Sequence, residues 1–599
     1  MKAFFKTITK IAIGALTAIG ALTLLLIFIG VGVVASLDPS SQPVPDQVVL
    51  EIDFGKGLVE YVPDDPIAQA LSLTDKPTTV RDVVLGLKRA AADERVLGLV
   101  AKTGAAPLGL AVIQEVRDAV LDFRAGGKFA VAYAETFGEF GPGNGAYYLS
   151  TAFDEIYLLP SGDLNLTGLM YESPFLRGAL SKLDIKVRAG QRKEYKNMAN
   201  VFTEDKYNAP HREAIEALMN SQFAQITAGI STARTIASSE LEAWIDRAPL
   251  SAAAALDANL VDQLLYRDQV FDQIKERTNG APLLYLSKYL ERAGGPYDEG
   301  RHIALIYGVG QVQRGGSNYD GLSGSSSMGS SSIARAFRRA VADGAEAIVF
   351  RVDSPGGSYV ASDIIWREIG RTRQQGVPVI ATMGNVAASG GYFVSMPADK
   401  VVAQPGTITG SIGVVLIKLL TEKFWKEHFG VTWDEVHTSA NATLWTNTRD
   451  YSSDQWKHVQ ASLDRIYDDF TAKAAQGRGL EAAAMDEVAK GRVWTGADAQ
   501  ERQLVDALGG FETALALARS AADIAADEPI HLIVYPRPKK LIELVLELDQ
   551  EPENSESESY ISTSFSALQD LRSFYRAVGQ LGVFTERDIL RFPHMDIKW

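Results

Sequence analysis

The chain has 599 residues, 46% of them hydrophobic and 22% charged, with a formal net charge of −15 and no cysteine. That length exceeds one small core and suggests about four domains as a soft guide. The acidic balance argues against a nucleic-acid partner, and the missing cysteine excludes disulfides, thiolate metal sites and cysteine nucleophiles.

The N-terminus carries Lys2, Lys6 and Lys10, and the next charge is Asp38. Between them lie 27 uncharged residues (38 − 10 − 1 = 27), mostly Ile, Leu, Ala, Val and Gly. As a helix this run extends about 40 Å, enough to span a hydrocarbon core. Lysines before it and acids after it place the N-terminus in the cytoplasm and the bulk of the chain across the membrane. A cleaved signal peptide is the alternative, but its apolar region is normally about 7–15 residues. Residues 1–40 are therefore expected to be a cytoplasmic N-terminus and transmembrane anchor, followed by the linker "SQPVPDQ".

Strands then alternate with helices. "RVLGLV" reads as a strand, "LAVIQEVRDAVLDFRAGG" as an amphipathic helix with a glycine stop, and "KFAVAYAE" as a strand. Such alternation predicts an α/β fold of parallel βαβ units. The same grammar returns in "AEAIVFRVDSPGG", "VASDIIWREIGRTRQQG" and "VPVIATMG". "GNGAYYLSTAFDEIYLLP" lies against "ASGGYFVSMPADKVVAQP" at a constant offset: 405 − 160, 399 − 154 and 392 − 147 all equal 245 for the Pro, Asp and Tyr pairs. This predicts two homologous halves, residues 41–300 and 301–525. The Gly/Ser-rich residues 315–332 read as a mobile loop or linker. The tail from 526 to 599 combines an amphipathic stretch, the acidic spacer "EPENSESESY" and an aromatic-bearing end.

The halves differ where chemistry is expected. Ser389 of "AASGG" faces Asn144, and "SPGG" faces "TGAAP". Glycine pairs let consecutive backbone N–H groups meet an anion, although turns use the same residues. Ser389 sits at a helix start, where a cap is the ordinary role. The small residues Ala387, Ala388, Gly390 and Gly391 suggest a substrate backbone lying close by. As a nucleophile it needs a base, and no histidine lies near it in the chain. A lysine serves only if burial or a nearby positive charge keeps it neutral. The seven histidines show no HExxH or paired spacing, so a zinc site has little support.

"RVDSPGGS", "AASGGYFVSMPADKVVAQPGTITGSIGV" and the apolar anchor together resemble the long, duplicated form of the signal peptide peptidase A family, from the anchor to about residue 525. The resemblance implies two tandem Clp protease/crotonase-like domains and a membrane-anchored serine endopeptidase of the bacterial inner membrane. Its catalytic body would be periplasmic, its substrates spent signal peptides and other apolar peptides, and its assembly a homotetramer. It implies Ser389 as nucleophile. The family's base is a lysine after a tyrosine, which "QRKEYKNMANVF" places at Lys196, with Lys193 as competitor. On that assignment the oxyanion would be held by backbone N–H groups of Gly356 or Gly357 with Gly390. No metal or organic cofactor is expected.

The second-half stretch matching the lysine region, residues 436–448, contains no lysine, and the first half has Asn144 for Ser389. A working site must then span the junction between halves. The rival readings are a crotonase-like enzyme acting on coenzyme A thioesters and a membrane-anchored scaffold without turnover.

Overall fold

The computed structural model describes residues 42–63, 77–320, 325–537 and 561–562. The expected anchor and nearly all of the tail after 537 lie outside them. Among the described residues no helix is long and apolar enough to cross a membrane.

The architecture is mixed α/β. A six-stranded sheet runs in the order Gln263–Leu264, Glu155–Leu158, Phe129–Ala134, Val96–Lys102, Val48–Asp53, Leu283–Tyr285, all parallel. In the second, eight-stranded sheet six strands repeat that order: Ala507–Leu508, Lys400–Ala403, Val379–Ala388, Ala347–Ser354, Arg301–Val309, Ile530–Tyr535. Two further strands, Ile408–Gly410 and Val493–Thr495, extend the second sheet beside the far end of Val379–Ala388. The sixth strand, Ile530–Tyr535, comes from the segment expected to be tail and pairs with Arg301–Val309 along its length.

The strands read as continuous apolar runs because helices cover the sheets. Helix Val80–Ala92 is fixed by a capping box between Thr79 and Asp82 and buries Val80, Val83, Val84, Leu87 and Ala90. Its counterpart Ser330–Ala342 buries Ile333, Ala336, Phe337 and Ala340 at the same spacing.

The Tyr and Asp positions shared by the halves are structural, and each Asp is held by an Arg of its own half. Asp154 accepts from Ala130 N at 2.7 Å and Arg124 Nε at 2.6 Å, and Asp399 from Val379 N and Arg373 Nε, both at 2.8 Å. Tyr147 donates to Leu260 O at 2.7 Å and Tyr392 to Leu504 O at 3.1 Å. Buried polar groups need such partners, so the same residues recur.

The Gly/Ser-rich segment is not the open loop its composition suggests. Asn318–Asp320 and Ser325–Gly329 pair antiparallel, Ser325–Gly329 also pairs with Gln311–Gln313, and Ser330 begins a helix. The serines supply ladder contacts instead of apolar burial: Ser327 Oγ accepts from Gln313 Nε2 at 2.8 Å and from Asn318 N at 3.1 Å. Low apolar content hid this structure because backbone pairing does not need it.

Among the contacts that join the halves, two stand out. Strand Lys186–Arg192 of the first pairs antiparallel with Val414–Leu420 of the second over seven residues. The ribbon lies on helix Ser453–Arg478, where a Cβ at Gly190 would stand 2.7 Å from Leu463. Elsewhere Arg351, 2% exposed, is held at 2.8 Å by both Glu60 and Glu115, and Glu115 also accepts from Phe511 N at 2.6 Å. Burial pushes the Glu115 carboxyl up, while the two carboxylates overcome burial to hold Arg351 above its ordinary value. Arg351→Met leaves both carboxylates without their cation. It is expected to lower unfolding free energy by about 3–5 kcal/mol at pH 7. Denaturant melts should show partial recovery when Glu60→Gln and Glu115→Gln are added.

Candidate active site

Strand Val379–Ala388 delivers Ser389 to the start of the short helix Gly390–Ser395. Asp353 Oδ1 accepts from Val386 N at 2.9 Å where the pairing with Ala347–Ser354 shifts register. Ser389 N donates to Gly410 O at 2.8 Å. Its backbone is at φ 55° and ψ −117°, outside the regions an L-residue ordinarily occupies. Such a conformation costs on the order of 1–3 kcal/mol and persists only where its surroundings impose it. Ser389 holds the N-cap position, but its side chain makes no cap hydrogen bond.

The small neighbours have a packing reason. A Cβ at Gly356 would lie 2.6 Å from Gly390 N and 2.8 Å from Ser389 Cβ, and one at Gly391 would lie 2.5 Å from Ser354 O. The glycines therefore let the turn 354–357 press against the helix start, where sequence reasoning invoked only a close substrate backbone. Gly356 is at φ 100°, and its N–H donates to Ser354 Oγ at 3.2 Å. Across Gly357 the backbone bridge uses Gly356 O and Ser358 N, both bonded to Val312 at 2.9 Å, which leaves the Gly357 N–H out of that pairing. The Gly390 N–H is in the first helical turn, where no intrahelical acceptor exists. The two residues lie close together: a Cβ at Gly390 would stand 3.0 Å from Gly357 N.

Lys196 arrives from the other half, just beyond the ribbon and before the 3₁₀ turn Asn197–Ala199. Its backbone is pressed by Gly491, at φ 81°, where a Cβ would lie 2.6 Å from both Lys196 N and Lys196 Cβ. The side chain reaches inward, leaving the residue only 5% exposed. Nζ lies 3.1 Å from Ser389 Oγ and donates to Ser411 O at 2.8 Å and Ser411 Oγ at 2.9 Å. A neutral amine has two N–H donors and one lone pair. With both donors on Ser411, the lone pair faces the Ser389 hydroxyl. Burial alone lowers this amine from 10.5 to about 7. Lys193 lies elsewhere: its side chain is 46% exposed and its Nζ is 3.7 Å from Asp486.

Ser411 was not singled out from the sequence, although it stands in the quoted "TITGSIGV". Only the fold brings it to a lysine 215 positions away. At the matching place in the first half Asn144 closes on Gly168, donating to its O at 2.7 Å and accepting from its N at 3.1 Å. Among the described residues no group of three or more His, Asp or Glu could hold a metal ion.

Two variants probe this geometry. Ser411→Ala removes one of two acceptors that orient the amine, and kcat is expected to fall about 10- to 100-fold, as for loss of one hydrogen bond to a polarised group. Lys196→Met removes the cost of neutralising a buried amine. The unfolded amine keeps its value of 10.5 and the folded one titrates near 7. The unfolded state thus binds the extra proton between these pH values, and stability rises with pH across that window. Denaturant melts should find Lys196→Met more stable than the parent at pH 6, with the difference shrinking towards pH 10.

The sequence profile described as Peptidase family S49 matches residues 123–280 and 371–525, one stretch in each half. The "Serine protease SPPA, chloroplastic" of Arabidopsis thaliana is 30% identical over 469 residues, covering 75% of this chain and 67% of that protein. "Protease 4" of Salmonella typhi is 31% identical over 486 residues, covering 78% and 75%. "Protease 4" of Haemophilus influenzae is 30% identical over 457 residues, covering 72% and 71%.

Proposed function

The chain belongs to peptidase family S49 and is a serine protease, and from that premise we propose that Ser389 and Lys196 are its catalytic dyad. The observation that carries the reading is a buried amine, lowered to about 7, at 3.1 Å from a strained serine. Neutral Lys196 accepts the hydroxyl proton as Ser389 Oγ attacks a peptide carbonyl carbon. The resulting oxyanion lies against the N–H groups of Gly357 and Gly390. Gly356, whose N–H already serves Ser354, shapes the turn by having no side chain. As the C–N bond breaks, protonated Lys196 gives its proton to the leaving amine. Water then attacks the acyl-enzyme, losing a proton to Lys196, and the serine leaves with that proton. A coenzyme A reading would use the same N–H groups but gives no reason for a lysine buried beside a hydroxyl.

The finer assignment rests on the resemblance to the signal peptide peptidase A family and on the apolar N-terminal run. We read residues 1–40 as an anchor, 41–300 and 301–525 as Clp protease/crotonase-like repeats, and 526–599 as a tail whose first strand completes the second sheet. The 27-residue apolar run between Lys10 and Asp38 supports attachment to the inner membrane with the body periplasmic. The substrates are spent signal peptides and other apolar peptides, and the assembly is a homotetramer. Cleavage of an apolar peptide by the detergent-solubilised full chain should fall at least about 10³-fold in Ser389→Ala and in Lys196→Ala. Lys193→Ala should retain activity. Full activity in either dyad variant would reject the assignment.

A further inference from the structure

Three consecutive residues of the second half staple the lysine-bearing segment of the first half in place. Lys490 O accepts from Tyr195 N at 3.1 Å, Gly491 N donates to Ile412 O at 2.8 Å, and Arg492 O accepts from Ser411 N at 2.7 Å. One short stretch therefore holds the backbone on both sides of the contact between Lys196 and Ser411. A side chain fixes the stretch itself. The Arg492 guanidinium, 15% exposed, reaches Glu213 through two nitrogens at 2.7 and 2.9 Å, the fork geometry that suits a carboxylate. Glu213 stands on helix Ala209–Arg234 of the first half. The guanidinium also covers the ring of Tyr195, 4.9 Å from its centre, and the Tyr195 phenol donates to the same carboxylate. The residue before Lys196 is thus tied by its backbone to Lys490 and by its side chain to the Arg492–Glu213 pair.

The duplication supplies a control. Asn208 caps helix Ala209–Arg234 and Ser452 caps its counterpart Ser453–Arg478, an offset of 244 (452 − 208). Thr495 caps helix Gly496–Glu501 and Ser251 caps Ala252–Asp257, again 244 (495 − 251). At that offset Glu213 corresponds to Lys457, Gly491 to Arg247 and Arg492 to Ala248. Lys457 is 77% exposed and pairs with Asp454 of its own helix at 3.0 Å. A second version of the staple would therefore set Ala248 against Lys457, and it would serve Asn144 and the lysine-free residues 436–448. The ion pair is lost together with the serine and the lysine. A pair kept only for general stability gives no reason for that.

We propose that Arg492 is a positioning residue for the dyad: its main chain seats Ser411, its side chain draws Tyr195 and Glu213 of the first half against the second, and together these keep water from the Lys196 amine. This rests on the Ser389–Lys196 reading and adds what holds that contact shut. The positive charge of Arg492 is not what acts on the amine, because burial is the sole influence on its basicity. Loosening the staple admits water, and a rewetted amine returns towards its ordinary value of 10.5.

The test is the pH dependence of kcat and kcat/KM for an apolar peptide, measured on the detergent-solubilised full chain between about pH 6 and 10. The parent should rise through a step near 7. In Arg492→Met and in Glu213→Ala the step should move up by about one unit, which lowers kcat about 5-fold at pH 7 and leaves KM little changed. The rate should return towards the parent's at the alkaline end. Arg492→Lys keeps the charge without the fork and should shift the step as well, whereas Glu213→Gln keeps an acceptor and should shift it less. The denaturant midpoint of Glu213→Ala should match the parent's, since its carboxylate is 49% exposed and such pairs add little to stability. If Arg492→Met does not fold, Glu213→Ala decides alone. A step that stays near 7 in the folded variants, or a loss of rate that high pH does not restore, would overturn the staple while leaving the dyad standing. A parent chain with no step near 7 would instead contradict the dyad.

Discussion

The proposed dyad depends on keeping one amine dry. Lys196 has ordinary basicity in water, and a protonated amine has no lone pair with which to take a proton. Burial at the junction of the halves changes that without a neighbouring charge, since desolvation alone brings the group to about 7. Two Ser411 acceptors satisfy its N–H groups, so the amine is buried without being unpartnered. The price is conformational and spread across the fold: a left-handed serine, two glycines inside contact distance, and a ribbon to hold the lysine's approach.

That constraint explains the division between the halves. Both carry the same sheet order and the same buried Asp–Arg and Tyr–carbonyl bonds, because those hold the layers together. The proposed centre needs one half to present a strained hydroxyl and the other to present an amine. Where the first half has Asn144, the side chain clamps Gly168 instead of meeting a lysine. The buried Arg351 with Glu60 and Glu115 is a second tie across the junction, remote in sequence and specific in geometry.

Much of this was legible in the sequence, and for physical reasons. Apolar strands and amphipathic helices announced parallel sheets, and the constant spacing of Tyr, Asp and Pro announced duplication; the Tyr and Asp of each pair make the same buried hydrogen bonds in both halves. Ser389 stood out through its small neighbours, although their reason is tight packing of a turn against a helix. Choosing Lys196 over Lys193 rested on resemblance; burial of one and exposure of the other are properties of the fold alone. Ser411 and Gly491 were invisible because their roles exist only across hundreds of residues of chain. The Gly/Ser-rich strands were missed because a ladder of backbone bonds leaves no hydrophobic period.

The most direct measurement is the pH dependence of Ser389 acylation by a serine-directed probe, with the modified residue mapped by mass spectrometry. The account predicts labelling at Ser389 that rises through a single step near pH 7 and is lost in Lys196→Ala at that pH. Labelling at another residue, or a rise at Ser389 only near the ordinary lysine value of 10.5, would contradict it.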